Sequence, residues 1–415
     1  MSEGSLYLSI IVVILLAEYA LSTISTFLNL KRLTPKLPGE MEGVYDAESY
    51  AKSQEYTRTN SRFSLIESTI LLPLTLAFLL LGGFNWIDQF LRGFGFTQLP
   101  TGLLFFAMLF ILSTALGLPF SIYRTFVIEE KFGFNRTTPK VFVIDLLKSI
   151  LVTIVIGGIL LTLVLWLFQA FGTFAWLYVW LSIIVVTLFM MFIAPVTIMP
   201  LFNKFAPLPE GELKSSIESF AKQQSFKLQG IYSMDGSRRS SKGNAYFTGF
   251  GKFRRIVLFD TIIANHTLSE LVAILAHEIG HYKRHHIWKR VTISFLTIGL
   301  WCWLCTFFLA NEGLFAAFRM EELSVYAGLV FFAMLFSPIQ TLLGILTNAL
   351  ARKHEFEADA FAAKTTASPE SMVLALKKLS VKNLSNLTPH PLVVMLHYDH
   401  PPTLERIAAL RRIVV

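Results

Sequence analysis

The chain has 415 residues, 54% of them hydrophobic and only 15% charged, with a formal net charge of +8. Soluble domains carry about 25% charged residues, so this sequence lacks the charge to clothe a globular surface of its length. The composition excludes an ordinary soluble enzyme, a disordered tail and a disulfide-stapled secreted domain. It points to a chain that mostly faces lipid.

A hydrocarbon core about 30 Å thick needs about 20 apolar residues as helix. Seven runs qualify, at roughly 6–28, 64–86, 102–123, 146–170, 174–199, 289–310 and 325–350. The first has no basic leader and no small-residue cleavage site, so it reads as a span rather than a removed signal. Lys31, Arg32, Lys36, Lys52, Arg58 and Arg62 follow the first run, and Arg124, Lys131, Arg136 and Lys140 follow the third. The alternate loops are nearly bare of basic residues. The positive-inside rule therefore sets the N-terminus outside and the C-terminus in the cytosol. The +8 becomes an orientation signal for a lipid bilayer, and no nucleic acid partner is expected.

This gives four parts: 1–200 with five membrane helices, 201–288 as a cytosolic segment, 289–350 with helices six and seven, and 351–415 as C-terminal cytosolic helices. Cys302 and Cys305 lie within the sixth run and read as small apolar side chains. The triplets beginning at Asn135 and Asn383 face the cytosol and read as chance matches to a glycan motif. Arg238, Arg239 and Lys242 read as contacts to lipid headgroups.

Chemistry concentrates in LSELVAILAHEIGHYKRHH. Leu268, Leu271, Val272, Leu275 and Ile279 recur at helical spacing, with Ser269 as the expected cap. His277 and His281, four apart, project from one face and can hold one Zn²⁺. Glu278 lies beside the open position and can take a proton from water there. His285 and His286 read as surface or membrane-interface residues. A third ligand is needed, and ALARKHEFEADAFAAK offers Glu355. Asp359, on the same face, can accept the ring N–H of a ligand histidine. Glu355 and Asp359 together resemble the pattern of the gluzincins, zinc peptidases with two His and one Glu ligand. Glu357 points elsewhere and reads as a decoy.

In LHYDHPPTLERIAAL, Pro401 and Pro402 fit a turn followed by a helix start, fixing His400 with Arg406 one to two turns along. Such a pair near a hydrolytic metal can stabilise an oxyanion. His390 and His397 read as structural. Asn244–Thr248 and Arg254–Phe259 alternate like strands joined through Gly249, Gly251 and Lys252. A free hairpin edge there, through the backbone of Asn244 and Ala245, can accept a peptide as an added strand.

These motifs resemble those of the type I CAAX prenyl proteases. The matching text includes SSKGNAYFTGF with RRIVLFDTII, HEIGH, SPIQTLLGILTNALARKHEFEADAFA and HYDHPPTLERIAAL, with YRTFVIEEKFGFNRTTP and APVTIMPLFNKF upstream. The resemblance implies a mainly α polytopic membrane protein, with seven transmembrane helices around a water-filled chamber and a gluzincin-like zinc peptidase domain carrying a small β-hairpin. It makes His277, His281 and Glu355 the zinc ligands, Glu278 the general base, and His400 and Arg406 the transition-state residues. The expected substrate is a membrane-anchored, prenylated CAAX protein cut near its C-terminus, at the cytosolic face of the endoplasmic reticulum or a bacterial inner membrane. His281 lies seven residues before Trp288 and Glu355 about five past the seventh run. At ~1.5 Å rise per residue, both fall within about 10 Å of the bilayer boundary.

Two other functions fit parts of the pattern. A quality-control protease of membrane proteins would share the chemistry without prenyl dependence. A channel with a structural zinc is disfavoured, because no span carries the paired charges of an ion path and Glu278 would then have no role.

Overall fold

The structure, a computed structural model, describes residues 2–248 and 254–413 of the chain. Helices occupy all seven predicted apolar ranges. α1 (Glu3–Arg32) and α2 (Ala47–Leu80) come first, followed by the short α3 (Gly83–Arg92) and by α4 (Gln98–Tyr123). α5 (Pro139–Val152) and α6 (Gly158–Phe171) join through a π-helical turn at Thr153–Gly157. After the turn Gly172–Phe174, α7 (Ala175–Thr197) packs against α6, and α8 (Met199–Phe202) follows.

Among the described residues, five helical stretches are long and apolar enough to cross a membrane: Glu3–Arg32, Ala47–Leu80, Gln98–Glu129, Pro139–Phe202 and Val325–Thr366. The fourth contains both α6 and α7. Val13, Ile111 and Val185 are each more than 60% exposed; contiguous apolar exposure of this extent suits lipid and not water. The second run ends earlier than expected. Gly82 adopts φ +77°, and a Cβ on Gly83 would meet the Phe78 ring at 2.3 Å. The paired glycines break the helix after Leu80 and let α3 fold back.

A four-stranded sheet follows, with order β1-β2-β4-β3. Its strands are β1 (Phe205–Pro207), β2 (Gly230–Met234), β3 (Ala245–Thr248) and β4 (Arg255–Phe259). β3 and β4 pair antiparallel, as the alternation predicts, while β2 pairs parallel to β4 and β1 antiparallel to β2. The predicted connection through Gly249, Gly251 and Lys252 lies outside the described residues. α9 (Glu212–Gln223) connects β1 to β2. Leading on from β4, α10 (Asp260–Ile263) is a single turn before α11 (Leu268–Lys283). Ile231, Ile256 and Leu258 of the sheet pack with Ile217 and Phe220 of α9 and with Leu271, Ile274 and Leu275 of α11. Each such side chain contributes about 1.5–3 kcal/mol when fully buried, so this cluster fixes one side of α11.

α12 (His286–Thr306) returns toward the membrane and packs on α7, where Trp180 donates its indole N–H to the Phe295 carbonyl at 2.8 Å. Both cysteines stay free thiols in α12. α13 (Glu312–Ala317) leads to α14 (Val325–Thr366), whose 42 residues run unbroken. α15 (Pro369–Lys382), α16 (Pro391–His397) and α17 (Thr403–Leu410) complete the chain. Met372 and Val373 of α15 and Ile407 and Leu410 of α17 share a core with Tyr45 and Tyr50.

The headgroup reading does not fit Arg239 or Lys242. Arg239 binds Asp145 through two hydrogen bonds of 2.7 and 2.9 Å, and Lys242 bonds to Glu129 and Tyr56. These charges tie the segment between β2 and β3 to α5, α2 and the π-helical turn Arg124–Glu129. Asn135 and Asn383 are engaged too, with side-chain bonds to Glu130 and Thr137 and to Gly243 respectively.

Candidate active site

The cap of α11 lies two residues before the expected Ser269. Thr267 caps it in a reciprocal box with Glu270, whose carboxylate also accepts from Lys378 at 2.7 Å. The signal, Thr-x-x-Glu, was present in the sequence. The helix then lies along the C-terminal part of α14. Gly280 permits the approach: a Cβ there would sit 3.1 Å from the Ala358 Cα and 3.2 Å from its carbonyl oxygen.

This packing brings His277 and His281 to Glu355. The two Nε2 atoms are 3.1 Å apart, and the Glu355 carboxylate oxygens lie 3.4 Å from His277 and 3.2 Å from His281. Ligand atoms held about 2.0–2.1 Å from a tetrahedral zinc are themselves about 3.3 Å apart. The Glu355 Oε2 is buried with no hydrogen bond, as expected of an atom kept for a cation. The donor set therefore fits a small divalent metal.

Each histidine is held from behind. His277 Nδ1 contacts Asp359 Oδ1 at 2.8 Å, and Arg406 grips the same carboxylate through Nε and a terminal nitrogen at 2.8 and 2.7 Å. The remaining Arg406 nitrogen is 3.4 Å from Glu355. His281 Nδ1 contacts His286 Nδ1 at 3.1 Å, and His286 Nε2 contacts Glu357 at 3.0 Å. His286 is only 1% exposed, so the surface reading is corrected for it. Glu357, read as a decoy, is its partner. His286 is visible in the sequence five residues after His281, but its inward placement depends on the left-handed turn at His285, φ +59°.

Electrostatics match the geometry. Burial raises the Glu278 carboxyl above its usual range, against the lowering effect of His277 and His281. Burial disfavours charge on His277, but the Asp359 and Glu355 hydrogen bonds outweigh it and bring the group to about 9. Burial likewise opposes charge on Arg406, and Asp359 reverses the balance, raising it further. His286 is pushed down to about 4 by burial, against the pull of Glu357.

A cavity of about 250 Å³ opens beside the donors, lined by Phe247, Glu278, His281, Arg290, His354 and His400 among others. His400 follows the expected pattern of a residue fixed by Pro401 and Pro402 before α17. Its Nε2 is 3.5 Å from Glu355, its Nδ1 is 2.8 Å from Asp399, and the side chain is 60% exposed. His390 caps α16 through Nδ1. β3 forms the sheet edge nearest α11. The Asn244 carbonyl accepts from Phe259, while the Ala245 N–H is bonded to the Asn244 side chain. Backbone groups alternate in an antiparallel strand, so Ala245 and Phe247 present theirs outward, shifted along the strand from the expected Asn244 and Ala245.

An HExxH helix, a glutamate from a second helix and a body of long apolar helices define a membrane-embedded metallopeptidase. Residues 26–204 match the family described as CAAX prenyl protease N-terminal, five membrane helices, and residues 207–414 match Peptidase family M48. The chain belongs to peptidase family M48. It is 36% identical over 423 residues to CAAX prenyl protease 1 of Saccharomyces cerevisiae, covering 95% of this chain and 93% of the relative. The Homo sapiens CAAX prenyl protease 1 homolog is 35% identical over 426 residues, covering 92% and 90%. The crystal structure of S. mikatae Ste24p superposes with a TM-score of 0.93 at 36% identity, covering 97% of this chain and 99% of that one. The chain is thus a multi-pass integral membrane metalloprotease.

Proposed function

We propose that the chain is a zinc endopeptidase that hydrolyses prenylated CAAX proteins near their C-terminus at the cytosolic membrane surface. The convergence of His277, His281 and Glu355 within hydrogen-bonding distance of one another, with Glu278 beside them, carries this reading. The names of the relatives, CAAX prenyl protease 1, supply the substrate class. Seven membrane crossings around a chamber, in the endoplasmic reticulum or a bacterial inner membrane, complete it.

His277, His281 and Glu355 would hold the zinc. Lewis acidity from a bound ion would polarise the scissile carbonyl and lower the pKa of water. Glu278, with its carboxyl raised by burial, takes the proton from the attacking water and passes it to the leaving amine. His400 donates to the developing oxyanion from the open side of the cavity. Arg406, spent on Asp359 and adjacent to Glu355, holds both carboxylates in place and adds positive charge from behind. Asp359 fixes the tautomer of His277. The peptide extends along β3, bonded through the outward groups of Ala245 and Phe247, with Asn244 closing the end of the strand.

The test is Glu278→Gln in the purified full chain. We expect one zinc retained and hydrolysis of a farnesylated CAAX peptide reduced by about 10²–10⁴-fold. Undiminished hydrolysis would remove Glu278 from its role. Equal cleavage by the wild type of matched peptides with and without farnesyl would remove prenyl dependence and favour a general membrane-protein protease.

A further inference from the structure

We propose that His286 and Glu357 are positioning residues that fix the tautomer and ring orientation of His281 through a two-step hydrogen-bond relay. The proposal rests on the zinc reading above.

The two ligand histidines are supported differently. His277 meets a carboxylate directly, at 2.8 Å from Asp359. His281 meets another imidazole, at 3.1 Å, and that imidazole meets Glu357 at 3.0 Å. Two ring nitrogens at this distance need one N–H and one lone pair. His281 Nε2 faces the donor set, 3.1 Å from His277 Nε2 and 3.2 Å from Glu355, so a metal takes the lone pair of that nitrogen. The His281 proton then sits on Nδ1 and is donated to His286 Nδ1. His286 in turn carries its own proton on Nε2 and donates it to the Glu357 carboxylate. Every contact in the chain has one consistent direction, ending on the only anion in it.

His286 is itself immobilised. It is 1% exposed, and its ring stacks on His354 with centroids 3.9 Å apart and planes 8° apart. The turn that delivers it has His285 at φ +59°, a left-handed conformation that few non-glycine residues adopt. That turn separates α11 from α12 and returns His286 beneath His281.

The indirect route also answers a charge problem. Glu278, Glu355 and Asp359 already crowd the site, and Arg406 balances only the last two. A carboxylate placed directly on His281 would add a fourth anion to a buried site that already holds three. Routing through a neutral imidazole moves that anion to Glu357, whose side chain is 32% exposed and sits 4.0 Å from Lys353.

The full chain in detergent, titrated with zinc against a fluorescent chelator, provides the test. We expect His286→Leu to weaken zinc binding by about 10–100-fold, the usual cost of removing such a partner. Glu357→Leu should weaken it in the same direction by less. His286→Asn, whose amide can both accept from His281 and donate onward, should recover most of the loss. In peptide hydrolysis at saturating zinc, kcat should fall for His286→Leu while KM stays unchanged. Metal-free His286→Leu and metal-free wild type should melt within a few degrees of each other, which separates positioning from folding. Wild-type zinc affinity in both leucine variants would overturn the relay, as would His286→Asn binding no better than His286→Leu. Failure of the wild type itself to bind zinc would overturn the metal reading and the relay with it.

Discussion

Replacing Asp359 by Asn removes a charge from the most heavily bonded carboxylate near the site. Asp359 is 1% exposed and Arg406 is 8% exposed. Two nitrogens of the guanidinium, at 2.7 and 2.8 Å, lose their anionic partner, leaving Glu355 at 3.4 Å as the one carboxylate within reach. Stranding a buried charge costs about 3–5 kcal/mol. Asn keeps one acceptor, so the lower end applies. A unit of 150–250 residues shifts by roughly 2–4 °C per kcal/mol, so the peptidase part should lose on the order of 10 °C in Tm. Zinc affinity should fall by about 10–100-fold, because His277 loses the acceptor that sets its tautomer. The assay is thermal unfolding of the detergent-solubilised full chain with and without zinc, applied to Asp359→Asn, Arg406→Met and the double variant. The double variant should melt above the sum of the two single losses, a coupling of about 2 kcal/mol or more. Additive losses, or an Asp359→Asn protein as stable and as zinc-avid as wild type, would refute the account of this pair.

Gly280→Val should push α11 and α14 apart at the contact with Ala358, costing about 1–3 kcal/mol by overpacking and lowering both Tm and zinc affinity; an unchanged affinity would mean the close approach does not set the donor geometry. Arg239→Gln should cost about 1 kcal/mol, because its bidentate bond to Asp145 is partly exposed. Zinc affinity should stay at the wild-type value, measured by the same chelator competition, and a loss there would make the α5 contact part of the site.

What the sequence made legible was whatever a single helix could carry. His277, Glu278 and His281 share one face of α11, and Glu355 and Asp359 share one face of α14, so spacing alone grouped each set. What it hid was pairing across long separations. Arg239 looked like a lipid contact because its partner Asp145 lies on a different helix. His286 looked exposed because a helix continued past His281 would have carried it to another face; the left-handed turn at His285 reverses that. The strands β1 and β2 went unread because one is three residues long and ends in proline, while the other gains its place only by pairing parallel with β4. The end of α2 was readable after the fact in the Gly82–Gly83 pair.

His277 and His281 come before α12, and Glu355 comes after the membrane portion of α14. A metal shared among them is therefore a clasp across a long helical hairpin, closing a loop that runs out along α12, turns at α13 and returns along α14. Closing so long a loop removes chain entropy that no local contact could remove. Occupancy of the site should thus be felt by α12 and α14 as well as by the peptidase. No contiguous fragment of this chain can hold all three donors without also holding α12, α13 and most of α14 between them.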